Sequence, residues 1–147
     1  TDIVRSFKAH GFENIIMIGD SGGNGRGMGA VATKLSAEWG GKPLVAHIPE
    51  HYTYSVVSKE MASRKLVVEP EGQGDGLHDD PIISMNMFVA DPKSIRYDER
   101  VKAKKATING VSLADRKKTL AIGKAIVDFR ATYTANAIQK AIAANKK

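Results

Sequence analysis

The run Ile15-Ile16-Met17-Ile18-Gly19-Asp20-Ser21-Gly22-Gly23-Asn24-Gly25-Arg26-Gly27 constrains the fold more than any other stretch of the chain. Four apolar residues lead into a glycine-rich turn, and the segment from Met28 to Trp39 then carries Val31, Leu35 and Trp39 at helical spacing. A buried strand, a tight turn and a helix form the unit that places ligands at the carboxyl ends of strands in α/β proteins. Asp20, Ser21 and the backbone around them are therefore the first candidates for chemistry. The glycines admit two readings. Backbone N–H groups at a helix start can cradle a phosphate, or the missing side chains simply let turn and helix approach the sheet. Glycines at 23, 25, 27 and 29 do not give G-x-G-x-x-G, and no Gly-Lys-Ser/Thr follows for a P-loop.

The rest of the chain extends this pattern. Ile3, Val4 and Phe7 predict a helix before the first strand, ended by Gly11. Leu44 to Ile48 reads as a second buried strand closed by Pro49, and Glu50, His51 and Tyr52 follow at its carboxyl end, where α/β proteins place ligand-contacting side chains. Tyr54 to Arg64 is expected as a helix and Lys65 to Val68 as a third strand. The polar stretch from Glu69 to Pro81 reads as a functional or disordered loop, with Gly74-Asp75-Gly76-Leu77-His78-Asp79-Asp80 as its core. A helix is expected to start with Pro81 in its first turn, and Asp91-Pro92 breaks it. Asn109-Gly110 marks a turn. Ser112 with Asp115 three residues on resembles a capping box, opening a long helix striped by Ile122, Ile126, Phe129, Tyr133 and Ala137.

This order of elements predicts one three-layer α/β/α sandwich with a mostly parallel sheet. Two or three strands are few for such a sheet. Further strands are therefore expected upstream or from a partner chain, as a homo-oligomer or through a missing N-terminal portion. The 147 residues, 42% of them hydrophobic, suffice for a real core without disulfides. No stretch is apolar for the roughly 18 residues needed to span a bilayer, so no membrane partner is expected. The absence of cysteine fits either a reducing or an oxidising compartment. The chain starts at Thr1 rather than methionine, so a removed leader or a longer parent chain is expected, and the compartment stays open between cytoplasm and periplasm or outside. The net charge of +6 is concentrated late in the chain. No aromatic residues interleave with these charges in a stacking pattern and no binding motif appears, so a solvated face is expected and nucleic acid is not.

Two families share motifs with these loops. Gly19-Asp20-Ser21 after an apolar strand, and Asp75-Gly76-Leu77-His78, resemble the first and last signature blocks of the SGNH (GDSL-type) esterases. That resemblance implies Ser21 as nucleophile, His78 as its base and Asp75 as the acid that orients it. The glycine and Gly-x-Asn-Asp blocks of that family are absent. The second resemblance covers nearly the whole chain. Ser6 to Asn24, through Gly11-Phe12-Glu13-Asn14 and Gly19-Asp20-Ser21-Gly22-Gly23-Asn24, is similar to the creatininase (creatinine amidohydrolase) segment leading into Gly-His-Gly-Gly-Asn. Gly76-Leu77-His78, Ser84-Met85-Asn86-Met87, Asp91-Pro92 and Asn109-Gly110-Val111-Ser112 continue the likeness.

The creatininase resemblance implies hydrolysis of a cyclic or linear non-peptide amide, with a divalent metal pair, zinc or manganese, activating water. Ser21 stands where that family has a metal-binding histidine, and the family's earlier Glu-x-His-Gly motif has no counterpart. Candidate metal ligands are Asp20, Asp79 and Asp80. His78 is the candidate acid or base. Gly22, Gly23, Asn24, Glu50, His51 and Tyr52 are candidates for contact with a small-molecule substrate. Several have bland alternatives: Asp20 and Ser21 as turn residues, Asp79 and Asp80 as caps of the helix at Pro81, and His47 as a core residue. A member that binds a ligand without catalysis is the third functional expectation.

Overall fold

The computed structural model describes residues 1–71 and 80–146, and the chain divides into two compact units, Thr1–Thr53 with Ala131–Lys147, and Tyr54–Arg130. Its coarse class is α/β, with many helices and small sheets.

The first unit begins with helix α1 (Asp2–Ala9). Asp2 in the first turn and Lys8 in the last complement the helix dipole. Gly11, at φ +82°, closes the helix in a Schellman motif: Phe12 N–H donates to Phe7 C=O (3.1 Å) and Gly11 N–H to Lys8 C=O (2.9 Å). The hydrophobic contact typical of that motif is present, since the Phe7 and Phe12 rings meet edge to face at 5.0 Å. Strand β1 (Asn14–Met17) follows, then helix α2 (Gly22–Glu38) and strand β2 (Leu44–His47). β1 and β2 pair in parallel, Asn14 opposite Leu44 through Met17 opposite His47. α2 ends in the same way as α1, with Gly40 at φ +61° and Gly41 N–H on Ser36 C=O at 2.9 Å.

The core of this unit is Val4, Ile15, Ala32, Leu35 and Val45, with Met17, Val31 and Trp39 packed against it. The α2 stripe expected from the sequence thus faces inward. Ser36 Oγ donates to Val45 C=O (3.1 Å), tying α2 to β2. On the surface, Arg5 of α1 forks onto Glu38 of α2 at 2.8 and 2.6 Å, and Lys8 lies over the Trp39 ring at 4.1 Å. The expectation of a fully buried first strand needs correction at its end. Ile15 is buried but Ile18 is 48% exposed, because among the described residues the sheet is the β1–β2 pair.

The second unit contains helix α3 (Tyr54–Ser63), helix α4 (Pro81–Ala90), helix α5 (Tyr97–Lys102), the hairpin β3 (Thr107–Ile108) and β4 (Val111–Ser112), and the start of helix α6 (Arg116–Asn145). Its core gathers Val57, Met61, Val67, Ile82, Met85, Leu113, Ile122 and Ile126. α4 starts as expected: Pro81 occupies its first position and Asp80 caps it, Oδ1 accepting Ile83 N–H at 2.8 Å. The hairpin turns on Asn109 and Gly110, both at positive φ (47° and 76°), the conformation a two-residue type I′ turn requires.

Two expected features are absent here. Lys65 to Val68 forms no strand. Lys65 adopts φ +56° and ends α3 in a Schellman motif, with Leu66 N–H on Met61 C=O at 2.9 Å, so these residues serve as the helix exit. The capping box is also displaced. Ser112 pairs with Thr107 in the hairpin, and Asp115 caps α6, its Oδ1 accepting Lys118 N–H at 2.9 Å. Among the described residues no helix is long and apolar enough to cross a membrane.

Candidate functional site

The carboxyl ends of β1 and β2 lie side by side because the strands are parallel and in register, and both open into chemistry-bearing segments of the first unit. From β1 the chain passes through Ile18, Gly19, Asp20 and Ser21 into α2. Gly19 accommodates Met28, whose Cε would lie 2.6 Å from a β-carbon at that position. Ser21 takes the extended N-cap conformation (φ −150°, ψ 127°), but its hydroxyl makes no capping bond. Its carbonyl instead accepts Asn24 N–H at 3.1 Å. α-Helical geometry leaves the N–H groups of Gly22 and Gly23 without acceptors inside the helix, and they sit at the positive end of a 17-residue helix.

The glycines are not a turn, as the sequence suggested, but the first two turns of α2 itself. Their absent side chains make room for residues that follow β2. A β-carbon on Gly22 would lie 3.3 Å from Tyr52 Cε1, so the Tyr52 ring rests on the first helical turn. Gly25 and Gly29, four residues apart on one helix face, leave a shallow groove for the His47 imidazole, with β-carbon distances of 3.8 Å to Cε1 and 3.7 Å to Nδ1. Of the two readings of the glycines, close packing therefore accounts for positions 22, 25 and 29.

Beyond β2, the short 3-10 turn Pro49–Tyr52 carries Glu50, His51 and Tyr52. Glu50 and His51 are half-buried and Tyr52 is 41% exposed. His51 Nδ1 lies 3.4 Å from Thr134 Oγ1, and Thr134 is buried on α6. The structure thus brings Gly22 and Tyr52 together, and with them the first turn of α2, which carries Gly23 and Asn24 after Ser21, and the turn that carries Glu50 and His51. Sequence reading missed Thr134, whose helix carried no motif, and set His47 aside as core; the visible signal for His47 was the i, i+4 pair of glycines on the preceding helix.

Asp20 is exposed on the β1–α2 link. Asp80 belongs to the second unit, where it caps α4 and bonds the Tyr54 phenol. His78, Asp75 and Asp79 lie outside the described residues. Among the described residues no three histidine, aspartate or glutamate side chains gather as a metal-binding group. These residues do not by themselves make the donor set that zinc or manganese takes.

Chemically, the first turn of α2 offers N–H donors to an oxygen that gains negative charge. Ser21 Oγ offers a hydroxyl uncommitted to capping the helix, and His51 and Glu50 offer proton-carrying groups on the facing turn. No family model, no curated protein and no solved structure matches this chain.

Proposed function

We propose that the chain is a hydrolase of creatininase type, acting on a non-peptide C–N amide bond of a small molecule at the carboxyl ends of β1 and β2. The observation that carries this reading is the seat of the Tyr52 ring on Gly22, which sets the first turn of α2, with its N–H groups and the Ser21 hydroxyl, beside the Pro49–Tyr52 turn that also carries His51 and Glu50. In this reading an amide carbonyl accepts from the N–H groups of Gly22 and Gly23, which stabilise the oxyanion as it forms. Asn24, Tyr52, His51 and Glu50 orient the substrate. The role of His78 as acid or base rests on the sequence resemblance alone. The divalent metal of that resemblance stays part of the proposal, and no step is routed through it, since the described residues do not form its donor set. The same proposal includes the finer architecture, a three-layer sandwich whose parallel sheet extends beyond the β1–β2 pair, and association into a homo-oligomer or with a further chain segment. It does not include nucleic acid.

A second reading has one specific support: Ser21 Oγ stands at a strand-to-helix turn without a capping bond, the position a serine nucleophile needs. The experiment that separates these readings is amide and ester turnover by the full chain, with bound zinc and manganese quantified on the same sample, for the parent, Ser21→Ala and His78→Ala. Amide turnover that survives Ser21→Ala and is abolished by His78→Ala supports the creatininase-type hydrolase. Ester turnover and fluorophosphonate labelling that both vanish with Ser21→Ala would replace it with the serine esterase. No turnover in any sample leaves a ligand-binding protein and defeats the enzyme reading.

A further inference from the structure

The second unit contains a cleft of about 620 Å³ that the reading above does not use, a volume within the range of roughly 300–1,000 Å³ typical of small-molecule sites. Its floor is apolar. Ile95, Ala106, Ile108 and Leu113 line it, and Ala106 and Leu113 are buried. The ring of Tyr97 also borders it, held by stacking on Phe88 at 4.4 Å and by its hydroxyl, which lies 2.9 Å from the carbonyl oxygens of both Leu113 and Ala114. The wall is therefore rigid where a ligand body would rest.

The polar side of the cleft is cationic. Arg96, Arg100 and Lys105 line it against one acid, Glu99, and Glu99 is taken by Arg96 in an ion pair. Arg100 and Lys105 are held together by reciprocal bonds. Lys105 N–H donates to Arg100 C=O at 2.8 Å, and Arg100 Nε donates to Lys105 C=O at 3.1 Å. Lys104, just past the end of α5 and directly before Lys105, adopts φ +58°, a left-handed conformation costly for a residue with a β-carbon, and this is what turns the chain back so that Lys105 reaches the cleft. The bond to Lys105 C=O uses Arg100 Nε and not its two terminal nitrogens, and a planar guanidinium and an ammonium lining one cleft suit a carboxylate.

We propose that this cleft binds a small organic carboxylate, its charged end on Arg100 and Lys105 and its apolar body on Ile95, Ala106, Ile108 and Leu113. Cations alone would favour any anion; the apolar floor beneath them selects an anion with a hydrocarbon or aromatic body.

The test uses 3-phenylpropionate as probe, with 3-phenylpropionamide as its neutral analogue and inorganic phosphate as a bodiless anion, titrated into the full isotopically labelled chain and followed by backbone amide shifts. The expected result is a Kd of about 1 mM or tighter for the carboxylate, with shifts at Ile95, Ala106 and Ile108. Lys105→Gln removes one exposed charge without touching the backbone bonds, and Arg100→Gln removes the other. Each should weaken the carboxylate by about tenfold. Equal binding of the amide, equal binding of phosphate, unchanged affinity in Lys105→Gln, or shifts confined to residues 18–24 and 49–52 would each overturn the proposal.

Discussion

Gly123 of α6 occupies a point where a β-carbon would stand 2.7 Å from the Met85 carbonyl oxygen and 2.6 Å from Val89 Cγ2. The carbonyl belongs to the backbone of α4 and cannot swing aside. Gly123→Ala should therefore cost about 1–3 kcal/mol, read as a lower denaturant midpoint with an unchanged slope; an undiminished midpoint would contradict this packing. Tyr54 makes a second prediction. Burial, then the charges of Asp80 and Glu69, push its phenol well above the usual tyrosine value, and its bond to Asp80 adds to this. A group whose folded pKa is raised contributes stability that is complete below the unfolded value, near 10 for tyrosine, and is lost as pH climbs toward the folded value. The melting temperature of the parent should consequently fall more steeply above about pH 10 than that of Tyr54→Phe. Parallel curves would exclude the effect. Residue-scale signals also differed in visibility. Gly11 and Gly40 announce their left-handed helix exits in the sequence, whereas Lys65 and Lys104 make the same exits at φ +56° and +58° and look like any other lysines.

At the scale of elements, the helices α1, α3, α4 and α6 follow from apolar spacing and end signals, and their boundaries follow from local bonds that spacing does not specify. α2 is the clearest case. Its seventeen residues begin at Gly22, six before the expected start, although the stretch holds five glycines poor in helix propensity; at three of them, Gly22, Gly25 and Gly29, the Tyr52 ring and the His47 imidazole pack into the space left by the missing side chain. The residues 65–68 have strand-like composition but, among the described residues, no neighbouring strand to pair with, and the Schellman exit of α3 uses their backbone instead. The start of α6 yields a prediction that separates two caps. Asp115→Ala should destabilise by about 1 kcal/mol, whereas Ser112→Ala, whose hydroxyl accepts Ala114 N–H at a long 3.4 Å, should change the midpoint little. The reverse order would restore the capping box.

At the scale of the whole molecule, the parallel β1–β2 pair stands out, since parallel strands are found almost only in larger sheets with both faces covered. Among the described residues neither outer edge of the pair has a neighbour, and Ile3, Phe12 and Ile18 are 73%, 53% and 48% exposed. Open edges and exposed apolar side chains favour association with another chain. Light scattering on the purified chain should give a mass of at least twice 15.8 kDa at micromolar concentration; a stable monomer across that range would remove the oligomer from the proposal.

The sequence by itself determined where the main helices and the two parallel strands lie, that Asp20 to Asn24 would follow one strand and Glu50 to Tyr52 the other, and that Pro81 would open a helix. Each of these depends on bonds and periodicities spanning a few residues, which the order of the residues records directly. Tertiary structure alone decided that glycines form the start of α2, that Tyr52 and His47 rest on them, that Thr134 meets His51, and that Ser84 and Leu113 line one cleft with Arg100. Those outcomes depend on which side chains meet across distances of tens of residues, and no local pattern specifies that meeting.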